Sequence, residues 1–238
     1  MLQALNRWRR SGPAIHPFDY NPSSWGQRVP ICVIAMVGFA VAIVLGLYQW
    51  KLVDSIWDPF FSGKGGLNGS EMVVTSDTSK QMESWFHIPD GVFGAIAYLG
   101  DALFGLAGST RRWQDRPWMV VLFGIDVIPL GIVGVILIGM QGFVVGYWCT
   151  LCLTSAAISL WLVYLAYDEV WCSLIYLNRV RQRGGGLNKT FWQAFWGTPN
   201  QIAHEVGDEM VGKQGAGEGG RRGTERVGEG ERGHVARE

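Results

Sequence analysis

Residues 142–167 read GFVVGYWCTLCLTSAAISLWLVYLAY, an apolar run that carries two cysteines close to its beginning. At a rise of about 1.5 Å per residue, a helix of this length crosses the roughly 30 Å hydrocarbon core of a bilayer. The cysteines, Cys149 and Cys152, are separated by two residues and therefore lie within one helical turn. The stretch predicts a transmembrane helix with a pair of thiols at its mouth.

Three further apolar runs precede this one, at residues 29–50, 91–107 and 118–140. Their many glycines suit the close packing of helices in lipid. The sequence therefore predicts an all-α integral membrane protein built as a four-helix bundle. The formal net charge is zero, so the chain has no global basic field and no nucleic-acid partner is expected.

Basic residues accumulate on one side of the predicted spans. They occur before the first span, between the second and third, and after the fourth, whereas the link between the third and fourth carries no charge. By the positive-inside rule both termini are cytoplasmic, and the Cys149 end faces outward from the inner (plasma) membrane, as does segment 51–90. The basic residues concerned are Arg7, Arg9, Arg10, Arg28, Arg111, Arg112, Arg116, Arg179, Arg181, Arg183 and Lys189.

The pair Cys149 and Cys152 has a redox and a structural interpretation. A helix N-terminus presents free N–H groups and a positive dipole end, which stabilise a thiolate able to exchange electrons. The alternative is an accidental pair in a transporter fragment or an assembly subunit. No metal site is expected, because structural zinc requires four ligands and no other Cys or His is suitably placed.

Three stretches resemble, in the same order, segments of the vitamin K epoxide reductase family. Residues 73–76 (VVTS) resemble the end of the outer loop, residues 88–98 (IPDGVFGAIAY) the entry to the second helix, and residues 148–152 (WCTLC) the active-site motif. The resemblance covers roughly residues 28–168. It implies a thiol oxidoreductase that moves two electrons between cysteines and a quinone, ubiquinone or menaquinone.

The same resemblance implies roles for individual residues. Cys152 would face the quinone, and Cys149 would exchange disulfides with a shuttle cysteine. Asp90 stands where some members carry a polar residue that hydrogen-bonds a quinone carbonyl, and Phe93 is placed to pack on the ring. Trp148, beside the pair, is the third residue expected to bind the quinone.

The chain departs from the family in the outer loop, which usually carries two shuttle cysteines. The corresponding residues are Ser62 and Ser70, and a hydroxyl cannot form a disulfide. A tyrosine that contacts the quinone in vertebrate members is replaced by Ala156. Two hypotheses follow: an oxidoreductase that takes electrons at Cys149 from a separate extracytoplasmic thioredoxin-like protein, and a non-catalytic accessory subunit of a larger membrane complex.

Carboxyl groups within membrane spans are functional candidates. For Asp101 we expect instead an ion pair with Arg111 or Arg112. Three roles are open for Asp126: a protonated carboxyl group, the cap of a local kink, or a relay that passes a proton to a reduced quinone. Outside the spans, the aromatic segment 55–61 (SIWDPFF) either anchors the chain at the membrane interface or covers the cysteine pair.

Four parts are predicted along the chain. Residues 1–28 form a cytoplasmic N-terminal segment, and residues 29–168 form the four-span domain. Residues 169–197 combine an amphipathic continuation of the fourth span with an aromatic cluster on the cytoplasmic surface. Residues 198–238 are rich in Gly, Glu and Arg and lack apolar periodicity, which is typical of a disordered tail.

Overall fold

The computed structural model describes residues 14–212. Within this range the chain is helical, and the only extended pairing is an isolated bridge between Ser62 and Asn68. The predicted all-α fold is confirmed. The helices are α1 (Trp25–Gln49), α2 (Gly69–Val74), α3 (Asp77–Phe86), α4 (Asp90–Leu106), α5 (Arg112–Asp115), α6 (Pro117–Met140), a π-helical turn (Gln141–Val145), α7 (Thr150–Arg183), α8 (Lys189–Trp196) and α9 (Gln201–Gly212).

Four helices, α1, α4, α6 and α7, pack side by side as a bundle. Helix α1 packs along α4 and α6 packs along α7, while α7 also contacts α1 and α4 contacts α6. Helix α1, α6 with its π-helical turn, and α7 are long and apolar enough to cross a membrane. Helix α4 has 17 residues, about 25 Å of helix, which lies at the short end of spanning lengths.

Glycines allow α1 and α4 to approach closely near Cys149. A Cβ atom on Gly91 would lie 2.6 Å from the backbone nitrogen of Gly46, and one on Gly46 would lie 2.7 Å from a methyl group of Val92. A larger residue at either glycine would therefore push the helices apart. This crossing shows the small-residue packing that the glycine content of the spans predicted.

The fourth apolar run does not form one helix from its first residue. Residues 141–145 extend α6 as the π-helical turn, which ends at Gly146 with a left-handed φ of 72°. Helix α7 begins only at Thr150 and then continues without interruption to Arg183. The apolar run thus begins before its helix does, and the helix continues through residues 170–181, where the sequence predicted an extension of the fourth span.

Arginine side chains close the bundle at the end opposite Cys149, here called the Arg112 end. Arg28 donates to the carbonyls of Gly105 at 2.8 Å and Ala107 at 2.6 Å, and so satisfies the last turn of α4. Arg112 donates from Nε and Nη2 to the two carboxylate oxygens of Glu169, at 2.5 and 2.6 Å. All three charged side chains are buried.

The expected ion pair between Asp101 and Arg111 or Arg112 is wrong. Arg112 pairs with Glu169, and neither carboxylate oxygen of Asp101 has a hydrogen-bond partner among the described residues. The physical reason is the position of Arg112 beyond the C-terminus of α4. From there its guanidinium satisfies the last carbonyls of α4 and reaches across to α7, and not back along the helix toward Asp101.

The prediction of disorder from residue 198 onward is wrong for residues 201–212, which form α9. Ala203, Val206 and Met210 are buried there against Tyr176 and Val180 of α7. Their spacing places one apolar face of α9 on the part of α7 that extends beyond the bundle. That face is short and is flanked by Gly-rich sequence, so the overall composition of residues 198–238 gave no indication of a helix. Residues 213–238, where the rest of the predicted tail lies, are outside the described residues.

Candidate functional site

Cys149 and Cys152 form a disulfide at the N-terminus of α7, with their Cα atoms 5.2 Å apart. Cys149 is the N-cap residue, and its Sγ accepts the backbone N–H of Cys152 at 3.0 Å. The N–H of Cys149 in turn donates to the side-chain oxygen of Gln141 at 3.1 Å. The motif is therefore held at a helix N-terminus, as its sequence predicted, and the π-helical turn contributes a partner.

Cys149 is completely buried beneath residues 55–76, here called the covering loop. Ile56, Val73 and Val74 of this loop pack with Leu45 and Cys149 in one apolar cluster. A Cβ atom on Gly69 would lie only 2.3 Å from the carbonyl oxygen of Trp148, so the backbone of the loop touches the motif. Segment 55–61 contributes to this cover through Ile56, while its aromatic side chains Trp57 and Phe60 remain 77% exposed.

The carboxylate of Asp58 fastens the covering loop to the motif. Its oxygens accept the backbone N–H and the hydroxyl of Thr150, the residue that follows Cys149. They also accept the N–H of Ser70 at 3.0 Å and its hydroxyl at 2.6 Å, and the N–H groups of Phe60 and Phe61. One carboxylate thus joins two turns of the covering loop to the first residue of α7.

Burial raises the pKa of Asp58, but these hydrogen bonds outweigh burial and hold the pKa well below its usual range. A lowered pKa means that the ionised form is favoured by the folded protein. Its contribution to stability is therefore complete above about pH 3.9, the value for an unfolded aspartate, and is lost only as the pH falls from there toward the lowered pKa. Neutral and mildly acidic solutions leave the loop fastened.

We expect Asp58→Asn to increase the alkylation rate of Cys149 in the reduced protein at least tenfold. The amide is neutral and has one acceptor oxygen, while hydrogen bonds to a charged group contribute about 1.5–3 kcal/mol each. A loss of 1.4 kcal/mol changes an opening equilibrium tenfold. The rate is measured with a water-soluble maleimide and peptide mass spectrometry. Asp54→Asn, an exposed position in the same connection, is the matched control, and equal rates for both variants would contradict the role given to Asp58.

The two serines that replace shuttle cysteines occupy different positions in the covering loop. Ser70 is fully buried and shares the Asp58 carboxylate with Thr150, so it lies beside the cysteine motif. Ser62 is farther out, where it pairs with Asn68 in the isolated bridge. The loop therefore brings a hydroxyl, and not a thiol, to the side of Cys149.

A cavity of about 320 Å³ opens between α1, α4, α6 and α7 on the other side of the disulfide. Cys152, Asp90 and Phe93 line it, so three of the five predicted site residues share one space. Cys149 lies outside this lining, under the covering loop. Trp148 also lies outside, with its indole ring close to Gly142, where an added Cβ atom would lie 3.1 Å from the ring, and is 40% exposed.

Asp90 is held by partners that the sequence analysis did not single out. The side-chain amide of Gln49 donates to Asp90, and its oxygen accepts the N–H of Gly91 at 3.0 Å. Ser79 of α3 donates to the same carboxylate at 3.4 Å. A glutamine at the last position of an apolar span, such as Gln49, was the available signal, because an amide is costly to bury without partners.

The deeper wall of the cavity carries further polar side chains that sequence reasoning did not connect. Tyr98 of α4 reaches α7, where its hydroxyl contacts those of Ser155 at 2.8 Å and Ser159 at 2.6 Å. Asp126 of α6 lines the same cavity. The remaining lining is largely apolar, which is usual for a site that takes a small organic molecule.

Comparison with known proteins gives one family. No curated protein is a significant match to the chain. The family model of the vitamin K epoxide reductase family matches residues 29–167, which is more than half of the chain and includes most of the bundle, the covering loop and both cysteines of the motif. This family in general couples the oxidation and reduction of thiols to a quinone in a membrane. The chain therefore belongs to the vitamin K epoxide reductase family.

Proposed function

We propose that this membrane protein is a quinone-linked thiol–disulfide oxidoreductase whose Cys149–Cys152 pair is the redox centre. It takes electrons from a separate thioredoxin-like thiol protein outside the cytoplasm. The chain spans the inner (plasma) membrane four times. The segments before α1 and after α7 lie on the cytoplasmic side. The observation that carries the proposal is the position of the disulfide, with Cys152 in the apolar cavity and Cys149 beneath the covering loop.

This geometry supports a division of labour between the two cysteines. A thiolate of the partner attacks Sγ of Cys149, the bond to Cys152 breaks, and Cys152 leaves as a thiolate. The second partner thiol then attacks the mixed disulfide, which releases the oxidised partner and leaves Cys149 reduced. Re-forming the Cys149–Cys152 bond transfers two electrons to the quinone held in the cavity.

The cavity residues fit a quinone head group as substrate. The volume of about 320 Å³ and the apolar lining suit a benzoquinone or naphthoquinone ring, that is, ubiquinone or menaquinone. Asp90 supplies a polar group close to Cys152, and Phe93 offers an aromatic face at the same end. Gln49 and Ser79 fix the Asp90 carboxyl group, so in its protonated form this group is already oriented to donate to a ring carbonyl.

The partner must displace the covering loop, because Cys149 is completely buried in the fastened state. Family members with loop cysteines relay electrons through the loop itself, whereas this chain presents Ser62 and Ser70 there. Direct docking on an opened loop replaces that relay. Breaking the contacts of Asp58 with Thr150 is the step that opens it.

Burial of Cys149 and the hydroxyls of Ser62 and Ser70 also favour a second candidate function. Under this alternative the chain is a non-catalytic accessory subunit of a larger membrane complex, with the disulfide as a fixed structural bond. The bundle and the cavity would then serve assembly. The two functions differ in whether the disulfide changes state.

The redox state of Cys149–Cys152 in native membranes distinguishes them. Thiols are alkylated with a mass-increasing maleimide after denaturation, before and after an excess of oxidised short-chain ubiquinone or menaquinone is added. The buried cysteines outside the motif, Cys32 and Cys172, give a constant reference of two thiols. We expect the pair to pass from two thiols to a disulfide with the quinone. A pair that stays in one state under all conditions would leave the accessory subunit as the function.

A further inference from the structure

A row of hydroxyl groups runs down one wall of the cavity from Cys152, and the reaction described above does not use it. Ser155 lies one turn after Cys152 on α7, and Ser159 lies one turn farther. The Tyr98 hydroxyl joins them at 2.8 and 2.6 Å, and it also lies 2.7 Å from the carbonyl oxygen of Ser155. Cys152 and these three residues line the same cavity.

Two carboxyl groups lie at the foot of this wall. Asp126 lines the cavity from α6, and a Cβ atom on Gly100 would lie 2.6 Å from its Oδ2. The Asp126 carboxyl group therefore touches α4 beside Asp101, and the two are close enough to interact electrostatically. Asp101 lies one turn after Tyr98 on α4, so the hydroxyl row and the carboxyl pair are neighbours.

Asp101 is completely buried and has no hydrogen-bond partner for either oxygen among the described residues. The basic side chains at the nearby Arg112 end are engaged elsewhere, Arg112 with Glu169 and Arg28 with carbonyls of α4. An isolated buried carboxylate is very costly, so these surroundings accommodate the protonated acid. The carboxyl pair thus holds a proton inside the bundle, at the foot of the cavity.

We propose that the carboxyl pair of Asp101 and Asp126 stores a proton, and that Asp126, which lines the cavity, delivers it through Ser159, Tyr98 and Ser155 to the quinone held beside Cys152. This inference rests on the proposed function and adds a proton donor to it. Each hydroxyl passes a proton along by accepting one and releasing its own, which requires contacts of the length seen around Tyr98. The lining of the cavity is largely apolar, so it offers few other groups that could donate a proton to the quinone.

The step balances in electrons and protons. Oxidation of the two thiols forms the Cys149–Cys152 bond and releases two electrons and two protons. Reduction of the quinone to the quinol consumes two electrons and two protons, one from the carboxyl pair and one from the Cys152 thiol. The proton of the Cys149 thiol passes to water, and the carboxyl pair recovers a proton from water after the quinol has left.

Infrared difference spectroscopy tests the stored proton directly, by the absorption of the carboxylic acid and not by a rate. The full protein in lipid nanodiscs is reduced, and spectra are compared before and after addition of oxidised short-chain ubiquinone. We expect a carboxylic acid C=O band in the reduced protein that changes when the quinone is reduced. The band should be absent from Asp101→Asn or Asp126→Asn and unchanged in Asp77→Asn, which alters an exposed aspartate of α3. A wild-type protein without such a band would overturn the proposal.

The rate of single-turnover quinol formation tests whether Asp126 and the hydroxyl groups along the cavity deliver a proton. Positioned general acids contribute roughly 10²–10⁴-fold, so we expect Asp126→Asn to slow quinol formation at least tenfold while the midpoint potential of Cys149–Cys152 stays at the wild-type value. Tyr98→Phe removes only the hydroxyl that links Ser155 and Ser159, and it should slow quinol formation as well. This variant tests the proton delivery if Asp126→Asn does not fold.

The outcomes separate this inference from the function on which it rests. If the wild-type protein turns over and Asp126→Asn and Tyr98→Phe form quinol at rates within twofold of it, proton delivery along the cavity wall is overturned and the proposed function stands. A wild-type Cys149–Cys152 pair that is never oxidised by quinone would overturn both the proton delivery and the proposed oxidoreductase. A slowed step accompanied by a shifted midpoint potential would assign the residues to the stability of the disulfide and would also overturn the proton donor.

Discussion

Cys149→Ser and Cys152→Ser each reduce quinone-dependent oxidation of the partner thiol to the background rate, a loss of at least a hundredfold. Two sulfurs are needed, because a single thiol cannot form the disulfide whose formation releases both electrons. The rate is measured as quinol formation by the purified protein in nanodiscs, with a reduced thioredoxin-like protein as electron donor. This is the largest effect on activity that we expect from any single substitution.

The two variants should differ in the species that accumulates. In Cys152→Ser, Cys149 remains and can form a mixed disulfide with an oxidised partner, which lasts until the partner's second thiol attacks it. In Cys149→Ser, the remaining thiol faces the cavity and should capture no partner. Non-reducing gels separate these cases, and equal trapping by both variants would contradict the assignment of Cys149 to the exchange reaction.

The cysteines outside the motif provide matched controls. Cys32 lies on α1, with its sulfur 3.7 Å from the carbonyl oxygen of Ala102, and Cys172 is buried near the Arg112 end on α7. Cys32→Ala and Cys172→Ala should keep the wild-type rate, because neither sulfur is near the cysteine motif. Full activity in Cys149→Ser would remove the oxidoreductase from consideration.

Glu169→Ala should lower the free energy of unfolding by about 3–5 kcal/mol, the usual cost of removing one partner of a buried ion pair. The Arg112 guanidinium is 1% exposed and pairs with both oxygens of Glu169. Without Glu169, a full positive charge stays buried between α4 and α7 with only backbone carbonyls as partners. Thermal unfolding in a fixed detergent, followed by intrinsic tryptophan fluorescence, measures the change.

Two further variants show whether the buried charge is the cause. Replacing both partners, as in Arg112→Met with Glu169→Leu, should recover part of the loss, because no unpaired charge is then buried. Asp77→Ala breaks an exposed pair with Lys80, and exposed pairs contribute only about 0–1 kcal/mol. A Glu169→Ala protein as stable as Asp77→Ala would show that the pair does not hold this end of the bundle.

Much of the fold follows from local sequence because lipid imposes a simple rule. Backbone groups in a bilayer must be satisfied within the segment, so an apolar run of sufficient length becomes a helix. The first and third runs therefore became α1 and α6 close to the predicted limits. The fourth began late, because Gly146 adopts a left-handed conformation, which apolar composition does not report.

The contacts that joined distant segments were beyond the reach of sequence patterns. Asp58 and Thr150 are 92 residues apart in the chain, and Arg112 and Glu169 are 57 residues apart. Such pairs depend on the rotation and depth of each helix after packing. The prediction for Asp101 failed for this reason, since it chose the basic residues nearest in sequence, while packing gave Arg112 a partner on α7.

The sequence by itself determined a helical membrane bundle with a CxxC pair at the mouth of one apolar run, because hydrophobic length and residue type act locally. Only the tertiary structure decided that Cys152 borders a cavity with Asp90 and Phe93 and that Trp148 lies outside it. It likewise decided that Cys149 is buried beneath the covering loop, which Asp58 fastens to Thr150. It also decided that residues 201–212 fold as α9 against α7. Burial and partner choice are properties of packed surfaces, and these surfaces exist only after the helices have assembled.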